Sequence, residues 1–397
     1  MSGPLSGIRV IELGHALAAP FACALLADFG ADVIKIEPPE GDSTRHTGPS
    51  KEAGMAAMFL GSNRSKKSVA LDLKQADAQE ALIALVATAD LLMHSMRPQK
   101  LAGLGLAPET LRQRFPRLVY ASLVGFLPGP YAGKPAYDDV IQGMSGLADL
   151  MERQGGEMRY LPTIAADKTC AHVAAHAILA ALWQRERTGQ GAFVEIPMFE
   201  SMVGFNLVEH YYGQHFEPPL SAPGYPRVLA PWRRPYRTAD GAVAMMPYTN
   251  LHWQRFFTEV GAPELARDAR FVDIASRTRH IAELLELASG FTERHTTAHW
   301  IAVCERLEIP AAPVAKLQDL PLDPHLVATD FFETVADPAL GDVRFPGVPV
   351  RFDGQRAAIT MPPRLGEHTR ELLAQAGLGA AQIDALVDTR AAIAPAT

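Results

Sequence analysis

Between residues 8 and 125 the chain switches repeatedly between two hydrophobic periods, and this alternation constrains the fold more than any other feature. Ile8–Leu13 (IRVIEL), Asp32–Glu37 (DVIKIE), Ser68–Leu73 (SVALDL), Leu91–His94 (LLMH) and Leu118–Leu123 (LVYASL) are short, apolar and rich in β-branched residues. Runs of that kind read as strands buried on both faces. Stretches of helical character lie between them: Pro20 to a glycine stop at Gly30, then Ala76–Ala87, then Pro108–Phe115. Proline at a helix start and glycine just past its end are the expected punctuation. Strands separated by helices of this length demand a parallel sheet with right-handed crossovers. The expected fold class is therefore α/β, with a Rossmann-like large domain.

Further along, Tyr137–Leu150 and the alanine-rich Asp167–Arg187 read as helices, Gly191–Pro197 as a strand and Phe199–Tyr211 as another helix. The proline-dense segment EPPLSAPGYP predicts an extended linker over 217–226. After it, a hairpin turning at Asp240-Gly241 and helices over Trp253–Val260 and Thr278–Cys304 predict a smaller α+β domain over 227–308. A second proline-punctuated stretch predicts a return linker over 309–330, leaving 1–216 and 331–397 as the two parts of the large domain.

Charge and motifs exclude several functions. With 37 Lys and Arg against 44 Asp and Glu, the net charge of −7 argues against a nucleic-acid partner. Three dispersed cysteines fit a reducing compartment, no run of about 18 apolar residues suggests a membrane span, and the start carries no secretory pattern. A cytoplasmic location is expected. The first strand-to-helix turn, GHALAAP, holds one glycine where a dinucleotide site needs three, and no phosphate-binding G-x-x-x-x-G-K-[ST] occurs. QGMSG is not the G-x-S-x-G elbow of serine hydrolases. His172 and His176 share a helix face but lack the glutamate of H-E-x-x-H, so they read as packing residues and no metal site is expected.

Asp167 stands where the long helix should begin. An aspartate there can cap orphan amides, and the helix dipole favours its charged form. It can equally serve as a carboxylate nucleophile toward an activated carbonyl. Local physics leaves both readings open.

The segments LSGIRVIELGHALAAPFACALLADFGADVIKIEPPEGDSTR, NRSKKSVALDL, MRPQKLAGLGL, YDDVIQGMSG, ADKTCAHVAAHAILAALWQRERTGQGAFVEIPMFES, YRTADG, IPAAPV and LGEHT follow one another in a family order. Together they resemble the class III CoA-transferases, the carnitine and bile-acid CoA-transferase family that includes formyl-CoA:oxalate CoA-transferase. The resemblance spans nearly the whole chain and is densest before residue 205. It implies an interlocked, ring-like homodimer. It also implies transfer of CoA from an acyl-CoA donor to a carboxylic acid acceptor through an aspartyl-CoA thioester on Asp167. CoA would be a substrate, with no tightly bound cofactor. By the same resemblance His15, Ala16, Leu71, Ser95, Met96, Arg97 and Tyr137 match positions along the CoA site, and Arg45 matches a recurrent arginine.

Three departures bear on specificity. Gly103 stands where many members carry a phosphate-binding arginine, with Lys100 the candidate replacement. Leu17 replaces the glutamine of formyl-CoA transferases, and the glycine-rich loop of that enzyme is not recognisable here. Tyr137 replaces the histidine of the related acyl-CoA racemases and is a poor base at neutral pH. A racemase or isomerase, or a non-catalytic CoA-binding protein, are the alternatives. Arg233 and Arg234 are candidates to meet the second carboxylate of a small dicarboxylic acid.

Overall fold

The computed structural model describes residues 3–395, which divide into two compact units. The larger comprises residues up to Ser145, then Pro162–Val203 and Pro324 onward. The smaller comprises Gly146–Leu161 and Gly204–Asp323.

Six parallel strands organise the larger unit: β1 (Arg9–Leu13), β2 (Asp32–Glu37), β3 (Lys66–Leu71), β4 (Leu91–His94), β5 (Val119–Val124) and β6 (Phe193–Pro197). Their spatial order is β3-β2-β1-β4-β5-β6, the doubly wound arrangement. The short strand Ala392–Ile393 adds antiparallel to the free edge of β3. The strand expected at Ser68–Leu73 begins two residues earlier, because the polar Lys66 and Lys67 carry the pairing with β2.

One face of this sheet is covered by the helices Ala76–Val86, Thr369–Gln375 and Ala380–Asp388, which bury Leu82, Leu85, Leu372, Leu373, Ile383 and Leu386 with Ile11, Ile34 and Leu92. Residues near the C-terminus thus complete a core begun near the N-terminus. Ala18–Ala27 and the 24-residue helix Ala165–Thr188 pack together. The long helix buries Ala171, Ala174, Ala175 and Ala181, and side chains that small let helix axes approach closely.

The helix expected over Tyr137–Leu150 is two helices, Asp138–Met144 and Leu147–Gly155. Gly146 separates them at φ 86°, left-handed backbone that glycine adopts without strain. The second of the pair belongs to the smaller unit.

In the smaller unit Tyr236–Thr238, Gly241–Met245 and Ala311–Pro313 form an antiparallel sheet. The hairpin turns at Ala239-Asp240, one residue before the expected position, since Thr238 pairs directly with Gly241. The expected helix over Thr278–Cys304 is also divided, into Ile281–Thr292 and Thr297–Leu307 with Thr296 capping the second. An aromatic core of Trp253, Phe256, Phe257, Phe271 and Trp300 holds these elements together. Among the described residues no helix is long and apolar enough to cross a membrane.

Candidate active site

Strands β1 and β4 are neighbours although not consecutive, so the crossovers leave them in opposite directions. A doubly wound sheet opens a crevice at the carboxyl ends of such a pair. Here the crevice is bordered by the Gly14–Leu17 turn after β1 and by Ser95–Arg97 after β4. The two loops are joined directly: the His15 amide donates to Ser95 Oγ at 3.3 Å.

The first turn is tightly built. A Cβ at Gly14 would come within 2.8 Å of the Ala19 methyl, so its single glycine serves close strand–helix packing rather than a pyrophosphate. Ala16 is held at φ 61°, a left-handed conformation unusual for a residue with a Cβ and found at constrained sites. Beneath the turn lies a buried set of charges from the first three strands. Glu12 accepts from Lys35 Nζ at 3.0 Å and Lys66 Nζ at 2.7 Å. Lys35 Nζ also lies 2.9 Å from Asp42 and donates to the Gly14 carbonyl at 2.8 Å. Burial opposes the Lys35 charge, but Glu12, Asp42 and Glu37 outweigh it and hold its pKa above the ordinary value. Partial desolvation against the turn, and then the Lys35 ammonium, lower the His15 pKa.

Two cavities open at the crevice. One, of about 470 Å³, is lined by His15, Ala16, Ser95, Met96, Arg97, Tyr137 and Asp167. The other, of about 280 Å³, is lined by His15, Leu71, Met96 and Lys100. His15 and Met96 border both, so Asp167 and the eight residues expected along the CoA site line adjoining space. Arg97 and Lys100 have no ion-pair partner among the described residues, whereas Arg45 is fully engaged in the interior. Its guanidinium forms two 2.7 Å bonds to Glu37, donates to the Gly54 and Pro363 carbonyls and lies 3.8 Å above the Phe59 ring. Tyr137 is 72% exposed, so it is no core tyrosine.

Asp167 sits in the first turn of Ala165–Thr188 but is not its cap; Ile164 holds that position without a side-chain bond. The capping is done from outside, by Asp138 Oδ1, which accepts from the Asp167 amide at 3.0 Å. Asp138 is a site residue that the sequence reading missed; its signal was the paired acid in YDDV, next to Tyr137. The expectation that the helix dipole would simply favour the charged carboxylate is corrected. Burial, followed by repulsion from Asp138, raises the Asp167 pKa to about 6. The same surroundings push the thiol of Cys170 up to about 12, which leaves Asp167 as the accessible anionic oxygen of that turn at neutral pH. His172, on the next turn, meets the Phe21 ring edge-on at 5.7 Å.

Comparison with known proteins places the chain in a family. Residues 5–369 match the model of CoA-transferase family III. A probable fatty acyl-CoA transferase of Mycobacterium tuberculosis is 32% identical over 94% of this chain and 98% of its own. The succinate–glutarate CoA-transferase of Agrobacterium fabrum is also 32% identical, over 94% and 95% respectively. The crystal structure of the mycobacterial protein superposes with a TM-score of 0.80 at 30% identity, covering 93% of this chain and 99% of that one. A CAIB/BAIF family protein from Brucella suis gives 0.78, also at 30% identity, covering 95% and 100%. A doubly wound sheet whose switch-point crevice holds a helix-start carboxylate, matched along almost its whole length, identifies this chain as a member of CoA-transferase family III.

Proposed function

We propose that the chain moves CoA from an acyl-CoA donor to a small carboxylic acid through a thioester on Asp167. The observation that carries this reading is the placement of Asp167 on the cavity wall, with a carboxyl that accepts no hydrogen bond among the described residues and a pKa near neutrality. A carboxylate stripped of donors is ionised at pH 7 and poorly stabilised, which favours attack.

Carbon–oxygen bond formation between Asp167 and the donor carbonyl expels CoA as its thiolate and leaves a mixed anhydride. The thiolate then attacks the aspartyl carbonyl of that anhydride, releasing the donor acid and forming the aspartyl-CoA thioester. The acceptor carboxylate repeats these two steps in reverse and restores Asp167. One thioester is exchanged for another, so the overall reaction needs neither ATP nor a redox partner. The protein's share is alignment of the reacting groups and exclusion of water from the anhydride. His15, Ala16, Ser95, Met96, Arg97 and Tyr137 would line the acyl and pantetheine path, while Leu71 and Lys100 would border the nucleotide end. Arg97 and Lys100 are cations free to meet its phosphates.

A homodimer fits this reading, since it would cover the exposed Tyr137 and shield the anhydride. The experiment is to incubate the protein with acyl-CoA and hydroxylamine. Conversion of Asp167 to its hydroxamate, with loss of activity, is expected. Unchanged mass and activity would dismiss the aspartyl-CoA route.

A further inference from the structure

A third cavity, of about 550 Å³, lies wholly within the smaller unit, and its charges are out of balance. Arg227, Arg233 and Arg234 line it together with Met245, Ile281 and Leu285, and no acidic residue contributes to its wall. Arg233 and Arg234 are exposed, and an exposed guanidinium alone means little. Arg227 is different. It is 6% exposed, forms no ion pair among the described residues, and its Nη1 has no hydrogen-bond partner. The ring of Tyr248 lies 5.1 Å from its guanidinium carbon.

A second buried guanidinium deepens the imbalance. Arg277 is 1% exposed, and among the described residues its hydrogen bonds go to the Phe271 carbonyl and Asn250 Oδ1, both neutral. Its pKa is lowered by burial and then by the charge of Arg227. Two like charges thus share one interior, and the acid Asp273 offsets them at Arg277 less than burial and Arg227 oppose it. Buried charges are normally paired, and an unpaired one is strongly destabilising. Tyr236, in the same wall, also lies in the field of Arg227 and Arg233.

The geometry points to a carboxylate-binding site in the smaller unit, built for an aliphatic dicarboxylate. One carboxylate is neutralised by the buried Arg227, the hydrocarbon portion lies on Met245, Ile281 and Leu285, and the exposed Arg233 and Arg234 attract the second charge. Guanidinium forks suit carboxylates and phosphates alike. The apolar wall selects an anion with a hydrocarbon body over inorganic phosphate. This goes beyond the transferase reading, since the site needs no chemistry at Asp167.

The test is calorimetry and ligand-observed NMR on the full chain without CoA, using glutarate, hexanoate and inorganic phosphate as probes. Saturable glutarate binding is expected, with hexanoate weaker and phosphate unable to displace it at equal concentration. Arg227→Met should weaken glutarate about tenfold and Arg233→Gln with Arg234→Gln about threefold, the larger effect belonging to the desolvated charge. Asp167→Asn should bind glutarate as the parent does. Undiminished binding by a folded Arg227→Met would overturn the site. Should that variant not fold, undiminished binding by the exposed double variant would overturn it instead. Loss of binding in Asp167→Asn would move the ligand to the other crevice and overturn it too, and equal displacement by phosphate would overturn the dicarboxylate assignment. A hydroxamate result at Asp167 bears on none of these outcomes.

Discussion

Asp42 and Asp167 are both largely withdrawn from water in the larger unit, and both stand at the start of a helical segment, yet their carboxyls are driven in opposite directions. Asp42 accepts from the Thr44 amide at 2.9 Å and the Thr44 hydroxyl at 2.7 Å, with the Lys35 ammonium 2.9 Å away. Burial penalises its charge, but Lys35 and the Thr44 donors outweigh that and hold the pKa below the usual value. Among the described residues Asp167 has no cation and no donor at its carboxyl, with a second carboxylate nearby, and rises to about 6. An acid that serves the fold is surrounded by what it needs; Asp167 is deprived of it. The linkage signs follow. Asp42 contributes stability above its unfolded value of about 4, and that stability is lost as pH falls through its depressed pKa. Asp167 does the reverse, with stability falling as pH rises from about 4 to about 6.

The sharpest way to break this contrast is to neutralise each side. Asp167→Asn should lower turnover by at least ~10⁴-fold, about 5 kcal/mol of barrier. The same change should raise unfolding stability at pH 7 by about 1–2 kcal/mol, a figure reduced for partial exposure of the group. Denaturant titration beside a transferase assay checks both, and a loss of stability would erase the difference between the two acids. On the structural side, Glu12→Gln leaves Lys35 and Lys66 without their shared counterion and should cost about 3–5 kcal/mol in the same titration.

A third change sharpens the origin of the raised pKa. Asp138→Asn keeps an oxygen for the Asp167 amide but removes the repulsion, so the acid limb of kcat/KM should move from near pH 6 to lower pH. Asp138→Ala should move it likewise and, by losing the cap, also cost about 1 kcal/mol of stability. The smallest expected effect is at Gly103, where an added Cβ would meet nothing within 4 Å. Gly103→Arg should lower the KM for acyl-CoA about threefold with kcat unchanged, as one added phosphate contact would.

Much of the larger unit was legible because buried parallel strands leave continuous apolar runs: Asp32–Glu37 and Leu91–His94 coincide with β2 and β4. Where pairing depends on buried ions the pattern fails. Lys66 reads as a surface residue until Glu12, Asn63 and the Pro20 carbonyl are seen around its ammonium. The break at Gly146 was hidden because apolar spacing continues across it. For the site, local pattern brought Asp167 only as far as cap or nucleophile, and resemblance chose between them. Asp138 escaped because its action is on an amide 29 residues away, and nothing in Pro226–Leu229 announces that Arg227 is buried without a counterion.

Lys35 reaches from β2 to the carbonyl of Gly14 and so ties the cavity floor to the sheet. Loosening that loop would strand an ammonium in a dry interior, so the floor should melt together with the sheet rather than breathe on its own. Amide exchange at His15 would then report the cooperative opening of the whole layer.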